Sequence, residues 1–287
     1  MDNKMKDIVL GIWDNPNELL LAEFKKKNWT SHNIPLTRTI STMGDAVPLI
    51  GNDRRMQIIK NTLRFLKKGE LSGLKLIDLG CLEGGLSFEM ACEGINVVGV
   101  EGRVLNYEKC VLLKNYYSDL SNLNFICSDV KKLSKNEHGV FDIVLCCGLL
   151  YHLDNPMSFI DILDDITHDD SILFLDTHIA PSDMDLDSCI FKNDLSHFLE
   201  LKYNNISYEG RWYDEYSKEA NGSDNEWAAV SNPKSFWLSF DSLVKSLYYG
   251  GFRRIYNMYG GFDIEQEFEL RKKYSRLYCF ATKNNII

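Results

Sequence analysis

Several things are missing from this chain, and each absence removes a class of protein. No stretch approaches the roughly 18 uninterrupted apolar residues of a bilayer-crossing helix, so no membrane association is expected. The first ten residues mix Asp and Lys and lack the apolar core of a secretory signal, which points to the cytosol. The 8 cysteines, Cys81, Cys92, Cys110, Cys127, Cys146, Cys147, Cys189 and Cys279, never form a C-x-x-C pair. That weakens the zinc and dithiol-redox readings and favours core thiols of a reducing compartment. Basic residues are in the minority, 32 against 41 acidic ones, for a net charge of −9. Sharp basic clusters occur only at Lys25-Lys26-Lys27 and Arg271-Lys272-Lys273. A phosphate-backbone binder concentrates Lys and Arg on one face, so nucleic acid is disfavoured and a small-molecule partner is expected. There is no internal repeat and no low-complexity tract.

What is present is an alternation. The 287 residues are 45% apolar, enough for one α/β domain with extensions. Short apolar runs at 74–79, 96–101, 123–127, 141–147 and 171–176 read as buried parallel strands. Helical stretches at 86–93, 104–120 and 156–165 separate them, the last opened by Asn155-Pro156. Strands alternating with helices make right-handed βαβ units. Helices are also expected at 16–27, 53–68 and 236–247, and two closing strands at 252–259 and 277–282. The expected architecture is α/β, a Rossmann-like doubly wound sheet of about seven strands whose last strand is antiparallel. Residues 1–70 would form an N-terminal helical cap, and 71–287 the main domain. Within it, 178–235 would be a substrate lid inserted after strand five, because so long a connection without clean periodicity is usually functional.

The chemistry collects at the carboxyl ends of these strands, where open α/β sheets bind ligands. Asp78-Leu79-Gly80-Cys81-Leu82-Glu83-Gly84-Gly85 follows the first strand and opens a helix. A dinucleotide loop needs G-x-G-x-x-G, with the middle glycine admitting a pyrophosphate. Here that position is Leu82, whose side chain would crowd a pyrophosphate, so NAD and FAD are disfavoured. S-adenosylmethionine carries no phosphate and tolerates the change. Glu101, closing the second strand, can accept hydrogen bonds from both ribose hydroxyls. Ser128-Asp129-Val130 follows the third strand, where an Asp can bond the adenine amino group. Gly148-Leu149-Leu150-Tyr151-His152-Leu153 follows the fourth, where the reactive methyl would lie. The candidate cofactor residues are Asp78, Gly80, Cys81, Leu82, Glu83, Gly84, Glu101, Gly102, Asp129, Val130, Gly148 and Tyr151.

With these residues in this order the chain resembles the class I S-adenosylmethionine-dependent methyltransferase superfamily. The resemblance is close over 72–177 and looser over 236–283. It implies S-adenosylmethionine as cofactor, S-adenosylhomocysteine as product, and cofactor roles for Asp78, Gly80, Glu101 and Asp129. The Gly148 to Pro156 segment, G-x-L-Y-H-L-x-x-P, is similar to the branch of tRNA wobble-uridine carboxymethyltransferases, which use carboxy-S-adenosylmethionine. The N-terminal segment, residues 178–235 and the acidic charge depart from that branch. The superfamily shares no catalytic base, so none carries over.

Methyl transfer is an in-line attack, and an alcohol nucleophile must also lose its proton. His is the natural base near neutral pH. His152 after strand four and His178 after strand five are the candidates. Asp176 could orient His178, although residues two apart on a strand need not pair. The site is assigned no metal; a divalent ion shared by Asp154, Asp176 and His178 is a weaker arrangement. In the lid, Glu209, Arg211, Tyr213 and Trp227 suit a polar, ring-bearing acceptor such as a sugar or an aromatic metabolite. The expected function is O-methylation of such an acceptor. The alternatives are a tRNA-modifying carboxymethyltransferase and a non-catalytic adenosyl-binding protein.

Overall fold

The computed structural model describes residues 2–216, 228–258 and 264–285. The chain divides into two compact units, residues 2–132 with 141–144 and residues 133–140 with 145–285. Its large sheet has the strand order β3-β2-β1-β4-β5-β10-β9, and a second sheet has the order β6-β7-β8. The strand β4 (Phe141–Cys147) is shared by the two units.

The first unit holds α1 (Asn3–Asp14), α2 (Glu18–Lys26), α3 (Arg54–Leu66), β1 (Lys75–Leu79), α4 (Gly85–Ala91), β2 (Asn96–Glu101), α5 (Val104–Tyr116) and β3 (Leu123–Cys127). Its helix starts follow local chemistry. Asp2, Asn17 and Asp53 each cap a helix by accepting from backbone N–H groups of the first turn. β1 and β2 pair in parallel, Lys75 opposite Asn96 through Leu79 opposite Val100, and β2 pairs in parallel with β3. Leu76, Ile77, Leu79, Val97 and Val100 are buried, as strands covered on both faces require.

The second unit holds α6 (Lys135–His138), α7 (Pro156–Asp165), β5 (Thr167–His178), β6 (Leu199–Tyr203), β7 (Ile206–Asp214), β8 (Lys234–Leu238), α8 (Phe240–Tyr249), β9 (Arg254–Asn257), α9 (Ile264–Tyr274) and β10 (Arg276–Thr282). β10 runs antiparallel to β5 with Arg276 opposite His178 and Tyr278 opposite Asp176, and β9 runs antiparallel to β10. The expected sheet of seven strands with its last strand, β10, antiparallel is therefore present.

Four expectations change. The insertion is no irregular lid but contains an antiparallel sheet. Tyr203 pairs with Ile206 across the two-residue turn Asn204-Asn205, both left-handed at φ 48° and 61°. Asn tolerates that conformation, and two such residues build the hairpin turn that matches strand twist. Residues 236–238 are strand, not helix; the helix begins after Ser239, whose side chain caps Ser242 N–H. α1 and α9 were not foreseen, because charged residues punctuate both. β5 runs two residues past Asp176, so His178 belongs to the strand itself. No helix among the described residues is long and apolar enough to cross a membrane.

β7 and β8 approach closely at Gly210, where an added Cβ would lie 2.2 Å from the Trp237 carbonyl oxygen. Gly210→Ala is expected to cost about 1–3 kcal/mol of stability, read as a lowered thermal midpoint.

Candidate active site

In the first unit, the backbone of the glycine loop turns through left-handed conformations at Gly80 (φ 68°), Leu82 (φ 52°) and Gly84 (φ 78°). For Leu82 this costs on the order of 1 kcal/mol. The strain is offset locally. Leu82 N–H donates to Glu101 Oε2 at 2.9 Å, and the Cys110 thiol donates to the Leu82 carbonyl at 3.2 Å. Arg103 N–H donates to the other Glu101 oxygen at 2.7 Å. Each Glu101 oxygen thus keeps acceptor capacity. Burial holds this carboxyl above its ordinary range, partly opposed by the Arg103 and Leu82 N–H groups. A carboxylate with a free lone pair on each oxygen, beside a loop with no middle glycine, fits a ribose diol and a phosphate-free adenosyl cofactor. Gly102 is half-buried beside it. Asp129 is half-buried; Oδ1 accepts Lys131 N–H at 2.9 Å, and Val130 is buried in the short 3₁₀ turn that follows. One Asp129 oxygen therefore caps the turn.

Two of the expected cofactor residues face inward. Ser87 Oγ donates to Asp78 Oδ2 at 2.6 Å, and burial raises the Asp78 carboxyl to about 7, with the Glu101 charge adding to it and Ser87 opposing it. Glu83 is 0% exposed. Its carboxylate accepts from the backbone N–H groups of Thr30, Ser31 and His32 and from the Lys109 ammonium at 2.8–3.1 Å. Burial alone would raise the Glu83 carboxyl, but Lys109 and those N–H groups outweigh it and hold it low. Glu83 is corrected from cofactor contact to anchor of the N-terminal segment. His32, driven down to about 4 by burial, stays neutral and accepts Gly85 N–H at Nδ1, 3.0 Å. Cys81 is buried, its sulfur 3.9 Å from Cys110 Sγ.

In the second unit, Gly148 (φ 88°) turns the chain after β4, its N–H donating to the Asp176 carbonyl at 2.9 Å. The following Tyr151-His152-Leu153 segment meets the insertion sheet. The three successive carbonyls of Tyr151, His152 and Leu153 accept from Trp237 Nε1, Asn232 Nδ2 and Phe236 N at 3.0, 3.0 and 2.9 Å. Tyr151 packs edge-on to His178 (4.4 Å) and tilted against His152 (4.2 Å). Trp237 lies between the rings of His178 and Tyr213, stacked at 4.7 Å on each, and Phe191 closes edge-on upon Trp237 at 5.4 Å.

The two candidate histidines separate here. His178 is buried, and both ring nitrogens are taken. Nδ1 lies 2.7 Å from the Tyr274 carbonyl and must donate; Nε2 accepts from Arg276 Nη1 at 2.9 Å. Burial, then the Arg276 charge, drives the imidazole down to about 3. A neutral ring with no free lone pair is no base, so the catalytic expectation for His178 is corrected. Asp176 pairs with Arg276 Nε at 2.6 Å, and Arg276 carries the connection to His178. His152 Nδ1 lies 3.0 Å from both carboxylate oxygens of Glu215, while Nε2 has no hydrogen-bond partner among the described residues. Its side chain is 17% exposed.

Arg211 is also corrected. It is fully buried and spends its guanidinium on the Pro181 and Ser196 carbonyls and Asp183, with Phe198 stacked beneath at 4.3 Å. Glu209 is exposed and Tyr213 half-buried; Trp227 lies outside the described residues. Asp154, Asp176 and His178 do not gather, and no metal-binding group of three or more His, Cys, Asp or Glu side chains occurs among the described residues. Glu215 and Arg276 were missed. Period-two alternation through Glu209, Arg211, Tyr213 and Glu215 was the available sign of a strand, but nothing marked Glu215 as the partner of His152.

Asp78 sets a pH test. Its folded value of about 7 exceeds the unfolded 3.8, so the folded state holds a proton that the unfolded chain has lost between about pH 4 and 7. Stability contributed by this group therefore falls as pH rises through that window. Asn cannot ionise. The thermal midpoint of Asp78→Asn minus that of the wild type should climb from pH 4 to 7 and then level, by the equivalent of a few kcal/mol; a flat difference would contradict the assignment.

A family model described as a methyltransferase domain matches residues 50–271. A mitochondrial ubiquinone biosynthesis O-methyltransferase from Arabidopsis thaliana is 32% identical over 126 residues, 40% of this chain and 38% of that protein. A tRNA U34 carboxymethyltransferase from Alteromonas mediterranea is 30% identical over 118 residues, 39% of this chain and 35% of that protein. The matches thus span less than half the length of these curated relatives. The N-terminal domain of EvdMO1, solved in the presence of SAH and D-fucose, superimposes with a TM-score of 0.67 at 18% identity, covering 94% of this chain and 97% of that one. At that identity the likeness is one of fold.

Proposed function

The chain belongs to the class I S-adenosylmethionine-dependent methyltransferases, and from that premise we propose that it methylates a hydroxyl on a small ring-bearing acceptor, with His152 as general base. One observation carries this proposal: of the two histidines beside Tyr151, only His152 keeps a ring nitrogen without a partner among the described residues, while its other nitrogen is held by a carboxylate.

Bound S-adenosylmethionine would supply an electrophilic methyl on a sulfonium whose leaving group is the neutral thioether S-adenosylhomocysteine. Glu101 accepts from the ribose hydroxyls, and the loop from Gly80 to Gly84 turns to admit the adenosyl group. His152 Nε2 would take the acceptor's proton as its O–H bond breaks, leaving the oxygen to bond the methyl carbon that the cofactor would supply. Tyr213, Phe191 and Tyr151 offer partly exposed ring faces to a sugar or an aromatic ring. Residues 1–70 act as a cap, their Thr30 to His32 segment fastened to the cofactor loop through Glu83, and 178–235 act as the acceptor's lid. Unpaired thiols throughout suit the cytosol.

A second reading has one observation in its favour. Arg276 lies over the Tyr151 ring at 5.1 Å, a cation able to meet the extra carboxylate of carboxy-S-adenosylmethionine. The net charge of −9 and the ion pair Arg276 already makes with Asp176 weigh against it.

Calorimetric titration with S-adenosylmethionine, its carboxy analogue and NAD separates these readings; binding of the first alone is expected. With radiolabelled methyl donor and a panel of phenols, catechols and sugars, His152→Ala should lower turnover by about 10²–10⁴-fold with cofactor affinity preserved. Undiminished turnover in that variant would sink the proposal.

A further inference from the structure

Glu215 is the group left unexplained by the family fold. It stands one residue beyond β7 inside the insertion, its side chain 1% exposed. A carboxylate so placed must be met by donors. Three converge on it: Ser235 Oγ at 2.6 Å on Oε1, Ala229 N–H at 2.9 Å on Oε2, and His152 Nδ1 at 3.0 Å from both oxygens. Its own N–H donates to the Pro233 carbonyl at 3.0 Å. Within the insertion the carboxylate is thus fixed by Ser235 of β8 and by Ala229 in the segment before it. The ring opposite is fixed too, because the insertion also takes the carbonyls of Tyr151, His152 and Leu153.

Geometry then decides which nitrogen of the ring carries the proton when it holds only one. Nδ1 faces two acceptor oxygens and Nε2 faces no partner among the described residues, so the proton sits on Nδ1 and the lone pair on Nε2. We propose that Glu215 is a positioning residue supplied by the insertion, which locks His152 in the Nδ1–H tautomer and aims the Nε2 lone pair at the acceptor hydroxyl. Through Glu215, Ala229 and Ser235 the insertion is therefore part of the proton-transfer machinery as well as a cover. An acceptor that must shed a proton, as the proposed hydroxyl must, is implied over a thioether, which has none to lose. This inference rests on the proposed O-methylation for its purpose, but its test does not.

The test is a two-bond ¹⁵N–¹H correlation on the full chain labelled at histidine nitrogens, at about pH 8 where an ordinary imidazole is neutral. His152→Gln identifies the signal. In the wild type His152 should show a protonated Nδ1 and a bare Nε2. Glu215→Ala should lower the ratio of Nδ1–H to Nε2–H by about tenfold, the factor that one hydrogen bond to a charged group supplies. Ser235→Ala, which keeps the carboxylate but removes one of its holders, should lower it less and guards against a Glu215 variant that fails to fold. An Nε2–H ring in the wild type, or a ratio unmoved in whichever variants fold, would overturn the inference. A residue that only stabilised the insertion would leave the tautomer alone. No acceptor is needed, so a failure here is distinct from a failure of the methyl-transfer proposal, which is read from His152→Ala turnover.

Discussion

A carboxylate removed from water has to be met by donors, and three buried carboxylates organise this protein. In the first unit Glu83 gathers the N–H groups of residues 30–32 and the Lys109 ammonium, so the cofactor loop, the N-terminal segment and α5 share one buried charge. In the second, Asp176 holds Arg276 against His178, and Glu215 holds Ser235, Ala229 and His152. Removing any one of them would strand its donors, so each fixes geometry well beyond its own residue. The orientation of Arg276 and the placement of the His152 ring follow from the last two of these anchors.

The same constraint distinguishes two histidines that look alike in one dimension. His178 sits on a strand between a carbonyl and a guanidinium; the first needs a donor and the second an acceptor, and the neutral ring supplies both and nothing more. Its ring also stacks on Trp237, which makes it part of the wall. His152 lies in a turn, with one nitrogen committed and one open. A chemical role here is decided by which lone pairs remain after packing, and burial alone would have ranked the two histidines the other way.

Much of the frame was legible beforehand. The strands β1 to β4, the cap Asn155 before Pro156, and Glu101 closing β2 follow from period, length and capping, which are local properties. The insertion was opaque for a physical reason. Its strands are short and half-exposed, so polar residues break the alternation, and the Asn204-Asn205 turn is a weaker signal than one containing glycine. Phe236 and Trp237 then passed for the start of a helix because Ser239, the true cap, comes three residues later. Arg211 passed for a ligand contact because a guanidinium among aromatic residues reads the same whether it meets a substrate or its own backbone.

The sequence by itself determined what depends on neighbours along the chain: the βαβ rhythm, the loop that excludes a pyrophosphate through Leu82, and the order of acidic residues at successive strand ends. Those features are written in spacings of a few residues. Tertiary structure alone decided which side chains are free to act. Glu215 lies 63 positions from His152, and Arg276 98 from His178. Hydrogen bonds across such separations are made by the docking of the insertion on the Tyr151 to Leu153 segment and by the pairing of β5 with β10, and no local pattern encodes which lone pair those contacts leave open.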